Sequence, residues 1–190
     1  MADTNKIKYG IKNVYFAVAT IATNGSATYS TPVAMPGAVS LSMDQNGESN
    51  PFYADNIVYY TSISNNGYEG DLELAKVPDD FLKNVLGYTA DTSGVLYEDA
   101  NAPIVHFALM FQFEGDTHAK RHVLYNCTAQ RPALSGTTKE ASIDPQTETI
   151  SISATSIYNS TLDKDIVKSS VTPTESTAYN AWYSSVYSNA

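Results

Sequence analysis

The chain has 190 residues, of which only 16% are charged, and a net charge of −9. Its eleven Lys and Arg are scattered, so no clustered cationic surface exists to neutralise a run of phosphates, and a nucleic-acid-binding role is disfavoured. The length suits one domain, 1–190, with a core of its own. The single cysteine, Cys127, excludes an intrachain disulfide.

Period-two alternation of apolar and polar residues dominates the chain. The N-terminal MADTNKIKYG has no apolar run behind its lysines and does not read as a signal peptide, and residues 1–8 read as an arm. Val14, Phe16 and Val18 alternate with Tyr15, Ala17 and Ala19 in a first strand. Val39, Leu41 and Met43 alternate with Ser40, Ser42 and Asp44 in a second strand with a polar face, followed by a polar loop over 44–50. Residues 57–64, rich in β-branched and tyrosine side chains, form a further strand. Asn65-Asn66-Gly67 then supplies positive-φ residues for a hairpin returning through Asp71, Leu72, Glu73 and Leu74.

A short helix is predicted next. Pro78 suits its first turn, Asp79 and Asp80 complement the dipole, and Gly87 can end it, with Phe81, Leu82, Val85 and Leu86 on one face. After an acidic loop over 88–102, Val105, Phe107, Leu109, Phe111 and Phe113 point one way, and His106, Ala108, Met110 and Gln112 the other. Beyond the turn at 114–119, Val123, Tyr125, Cys127 and Ala129 are expected on one face of the return strand. After a loop over 135–147 with its Asp144-Pro145 turn, Ile150, Ile152 and Ala154 alternate with Thr149, Ser151, Ser153 and Thr155. Tyr179, Trp182, Tyr183 and Val186 make a helical stripe that either docks on the subunit's own sheet or meets a neighbour. The pattern is mostly β: an antiparallel β-sandwich or partly closed barrel with one or two short helices, in which residues 158–190 form a C-terminal extension.

A search for chemistry finds none. His118 and His122 stand four apart on a turn-to-strand segment, about 13 Å along an extended chain, too far to share an ion. Glu69, Asp71 and Glu73 alternate on one strand face as a stripe, not as a pair across a cleft. Cys127 sits in an apolar alternation, where an inert core thiol is expected. No nucleophile elbow, P-loop or dinucleotide fingerprint is present, so no cofactor is expected and the chain does not read as an enzyme. No segment approaches membrane-spanning length.

Tyr9-Gly10-Ile11-Lys12-Asn13-Val14, Thr31-Pro32-Val33 and Pro36-Gly37-Ala38-Val39 lead into PFYADNIVYY and NNGYEGDLELAKVPDDFLKNVLG, then FALMFQFEGDTHAKRHVLYNC. From about Lys8 to Tyr158 this ordered run resembles the major tail proteins of bacteriophages with long, non-contractile tails. The resemblance implies a structural virion protein made and assembled in the host cytoplasm. It also implies a homo-hexameric ring that stacks into a tube, partners at the tail tip and terminator, and a tape measure protein. DNA is then passing cargo and nothing anchors the chain in a membrane. A channel wall should be polar and poor in positive charge. Ser40, Ser42, Asp44, Asp71, Glu73, Ser151 and Ser153 are accordingly the lumen-lining candidates, and Phe52, Tyr53, Tyr179 and Trp182 the inter-subunit contacts. A carbohydrate-binding β-sandwich, stacking tyrosines on sugar rings, is the alternative from another class.

Overall fold

The computed structural model describes residues 7–115, 119–138 and 145–188. Its elements run β1 (Tyr9–Ile21), β2 (Ala27–Tyr29), β3 (Val33–Ala34), β4 (Ala38–Gln45), β5 (Ser49–Ala54), β6 (Ile57–Ile63) and β7 (Tyr68–Leu74). Helix α1 (Asp79–Asn84) precedes β8 (Thr89–Ala90), β9 (Leu96–Tyr97), β10 (His106–Glu114), β11 (Arg121–Ala129) and β12 (Glu148–Thr155). The C-terminal part adds β13 (Ile157–Asn159), β14 (Lys164–Ile166), β15 (Lys168–Val171) and α2 (Ser176–Ala181). The protein is mostly β, as its alternation predicts.

One antiparallel sheet dominates, in the order β2-β1-β10-β11-β12-β7-β4, with β3 added beside β1 and β15 beside β11. The sheet curls until β4, at one end of that order, touches β1 near the other. The inside of the curl holds the main core: Val14, Phe16, Leu72, Leu74, Phe107, Leu109, Ile150 and Ile152 are buried there. Helix α1 plugs it. Phe81 stands edge-on to Phe16 (5.1 Å between centroids) and to Phe107 (5.4 Å), aromatic geometry that adds to simple area burial. Gly87, at φ +74, ends the helical turn as expected.

The outside of the sheet is divided. Over β1, β10 and β11 the outward Ala17, Ala108, Met110, Val123 and Tyr125 form a second core with Ile157, Val171, Trp182 and Val186 of the C-terminal segment. Over β12, β7 and β4 none of the described residues covers it, and the outward residues are hydroxyls and carboxylates.

Several expectations are corrected by pairing. Asn65-Asn66-Gly67 is not the hairpin turn. β6 returns along β5, with Ala54 opposite Ile57, and the two-residue turn is Asp55-Asn56 at φ 52 and 62. Both central residues of such a turn need the left-handed region, which Asp and Asn tolerate. Strand β7 pairs instead with β4 and β12. The expected loop over 44–50 is mostly strand: β4 reaches Gln45 and β5 starts at Ser49.

Bulges account for two further differences. The register slips between Ala38 and Ser40, and Val39 is exposed while Leu41 and Met43 pack inward. On β11 the register slips between Leu124 and Cys127. Leu124, Cys127 and Ala129 therefore face the main core, while Val123 and Tyr125 face the second one. A simple alternation would have placed all four odd-numbered residues on one side.

Candidate functional site

The outward face of β4, β7 and β12 gathers all seven residues expected to line a channel. Cross-strand register makes three rows: Ser40, Glu73 and Thr149; Ser42, Asp71 and Ser151; Asp44, Glu69 and Ser153. Each row carries at least one carboxylate, and these three strands contain no Lys or Arg. The sequence shows each stripe separately, but only strand order sets them side by side. A fourth polar stripe, Asn126 and Thr128 of β11, lies on this face beside Thr155 and Ser153, opposite the inward Cys127 and Ala129 as the alternation expects.

Hydroxyls anchor two of the carboxylates. Ser40 Oγ donates to Glu73 Oε2 (2.8 Å), Thr147 Oγ1 to Glu73 Oε1 (2.6 Å), and Ser151 Oγ to Asp71 Oδ1 (2.7 Å). The hydrogen bonds from Thr147 and then Ser40 hold the Glu73 carboxyl below the ordinary glutamate range, so it is ionised throughout the neutral range. Asp44, Glu69 and Asp71 also border a shallow polar concavity with Asn46, Gln130 and Ser151. Among the described residues no group of three His, Cys, Asp or Glu could hold a metal ion.

The second feature is the β5–β6 ribbon. It continues the β4–β7 hairpin outward, joined at its root by Asn66 N–H to the Asn46 carbonyl (2.7 Å) and Asn46 N–H to the Gly67 carbonyl (2.9 Å). Beyond the root nearly every residue of both strands is exposed. Phe52, Tyr53, Ile57, Val58, Tyr59, Tyr60 and Ile63 are 50–76% exposed, so both faces of the ribbon are apolar and uncovered. Phe52 and Tyr53 are thus presented, on strand β5.

The C-terminal aromatics behave differently. Trp182 is 2% exposed within the second core, and its Nε1 donates to the His122 carbonyl (3.4 Å). Tyr183 stacks on Tyr15 (4.7 Å). Arg121 lies over the rings of Tyr179 (3.7 Å) and Tyr183 (4.7 Å) and donates to the Tyr179 carbonyl, while Tyr179 OH donates to the Ala119 carbonyl (3.0 Å). Of the two roles open to this stripe, docking on the subunit's own sheet is the one observed. Trp182 is enclosed there, and this corrects its place among the inter-subunit contacts.

The remaining chemistry-bearing residues are structural. Cys127 is fully buried, and loss of solvation pushes its thiol up to about 12, which leaves no thiolate for nucleophilic attack. His106 Nδ1 lies 2.7 Å from Asn126 Oδ1, and His122 stacks on Phe111 (5.3 Å). His118 lies outside the described residues, as do Asp116, Asp144 and residues 1–6 of the N-terminal arm. No helix among the described residues is long and apolar enough to cross a membrane.

A polar, cation-free face and an exposed apolar ribbon are assembly features without reactive groups. A family model described as phage tail tube protein matches residues 2–188. The chain belongs to that family. It is a structural component of the virion tail and not an enzyme, which displaces the carbohydrate-binding alternative. A search of curated proteins finds no match. Among solved structures the chain is similar to one from the anti-feeding prophage baseplate, imaged by cryo-electron microscopy with six-fold symmetry imposed. Identity is 10%, coverage is 89% of this chain and 97% of that one, and the TM-score is 0.43.

Proposed function

We propose that this tail tube chain closes into hexameric rings that stack into the tube of a long, non-contractile tail, with the β4–β7–β12 face lining the channel for the genome. The observation that carries this reading is the convergence of three hydroxyl and carboxylate stripes, free of Lys and Arg, on the one half of the outer sheet left uncovered. Such a wall repels phosphate and lets DNA slide. Strand β4 ends the sheet order, and pairing with a neighbouring copy would remove an edge that otherwise invites aggregation. Residues 158–188 packed on the sheet support one domain with a C-terminal extension, and tape measure, tail tip and terminator proteins are its proposed partners.

The test is a double charge reversal, Asp71→Lys with Glu73→Lys, in infectious particles. Tubes of normal length with DNA delivery slowed and infectivity reduced at least about tenfold are expected, because cations on the wall would hold phosphates. Unchanged infectivity with intact tubes would remove this face from the channel. Wild-type protein that forms neither rings nor tubes by negative-stain microscopy, even on a tail tip, would refute the assembly itself.

A further inference from the structure

One end of the curled sheet is open where β4 and β10 finish and where β7 and β11 begin. Leu41, Met43, Tyr68, Phe111, Phe113 and Leu124 surround a recess there of about 250 Å³. Its rim is cationic in a chain that is otherwise poor in cations. Lys8 Nζ stands 4.6 Å from the centre of the Phe113 ring, and Lys168 Nζ stands 4.5 Å from that of Tyr68. Three other cations are engaged elsewhere: Lys12 with Glu114, Arg131 with Glu98, and Arg121 between two tyrosines. An apolar recess with two ammonium groups at its mouth suits an apolar knob that carries a carboxylate.

The β5–β6 ribbon ends in such a knob. Its turn presents Asp55 beside Asn56, flanked by the exposed Tyr53, Ile57 and Val58. The ribbon cannot fill the recess of its own subunit. It is rooted at Asn46 and Asn66, beside Tyr68 on the rim, and the eight residue steps from Gly47 to Asp55 carry the tip roughly 26 Å away at about 3.3 Å per step. Its exposed faces also show that it does not fold back along the body.

We propose that the recess receives the β5–β6 tip of a second copy of this chain, with Lys8 and Lys168 pairing with Asp55 and the apolar walls covering Ile57 and Val58. This rests on the tube reading above and names the surface that completes it. Burial of the exposed ribbon supplies affinity, and the charge pairing sets which copy and which register are accepted.

The test uses tube assembly of the full chain. Asp55→Lys alone, and Lys8→Glu with Lys168→Glu, should each raise the concentration needed for tubes roughly tenfold or more, as expected for loss of a partly desolvated charge pair. Combining all three should restore assembly by at least half of that shift. As a second measurement, Asp55→Cys and Lys168→Cys are placed in separate subunits and mixed before assembly. With dissolved oxygen and a copper catalyst as the oxidant, a disulfide between the two populations is expected, and the buried Cys127 does not compete. Tubes that form normally with Asp55→Lys, or that form without the cross-link, overturn the docking and leave the tube reading standing. A disulfide from Lys168→Cys to Asp91→Cys or Glu98→Cys, when one of these replaces Asp55→Cys in the partner population, likewise overturns it. Wild-type protein that never assembles removes both.

Discussion

The two halves of the outer sheet face make an instructive pair. Both come from strands whose inward residues fill the same core, and both start from the same period-two alternation. On β1, β10 and β11 the outward positions hold Ala, Met, Val and Tyr, which would expose a broad apolar patch, and the C-terminal segment lies over them. On β4, β7 and β12 the outward positions hold Ser, Thr, Asp and Glu, and no described segment covers them. Area-proportional burial explains the first half: each large side chain removed from water contributes on the order of 2 kcal/mol. The second half offers no such gain to its own chain. A covered face and a bare face thus differ in how much each contributes to the stability of the single subunit.

The contrast can be broken most severely on the covered side. Trp182→Ala should cost about 3–5 kcal/mol, because it opens a cavity in the second core and removes the ring that stacks on Tyr187 (6.0 Å). Chemical denaturation of the monomer measures it, and a loss below about 1 kcal/mol would mean that the C-terminal segment is only loosely laid on the sheet.

A smaller effect is expected within the bare half. Gly70 sits where a Cβ would run into the Ser42 carbonyl of β4, so Gly70→Ala must push the two strands apart. A loss of about 1–3 kcal/mol is expected, together with faster amide exchange along β4. Unchanged exchange there would show that the strand gives way easily and that the rows of the polar face are not rigidly held.

The smallest effect concerns charge. Glu73 has a depressed folded value, so its contribution is present above the unfolded value and is lost as pH falls through the folded one. At neutral pH nothing changes. Ser40→Ala with Thr147→Val should return the Glu73 midpoint upward toward that of an ordinary glutamate in an NMR titration, with little change in fold stability. A midpoint that does not move would mean that the two hydroxyls do not set the charge of this face.

Much of this was legible in the sequence because alternation is local. Ile150, Ile152 and Ala154 against Ser151 and Ser153, or Leu72 and Leu74 against Asp71 and Glu73, need no partner to declare their faces. Helix α1 was legible for a similar reason, since Pro78, Asp79, Asp80 and Gly87 act within one turn of their own position. The failures cluster where one residue changes parity or where two turns compete. The bulge between Leu124 and Cys127 turns half of β11 over. Asn65-Asn66-Gly67 has turn chemistry as good as Asp55-Asn56, and nothing in either tripeptide or dipeptide says which strands will pair.

The sequence by itself determined that strands would carry one apolar and one polar side, and that the polar sides would be acidic and hydroxylic. These properties follow from residue type and spacing along a few neighbouring positions. Only the tertiary structure decided that β4, β7 and β12 would lie together, that Trp182 would be enclosed while Phe52 and Tyr53 stand out, and that an open recess would share its end of the sheet with the ribbon's root. Strand order is settled by contacts between residues as distant as Ser40, Glu73 and Thr147, whose free energy no local pattern records.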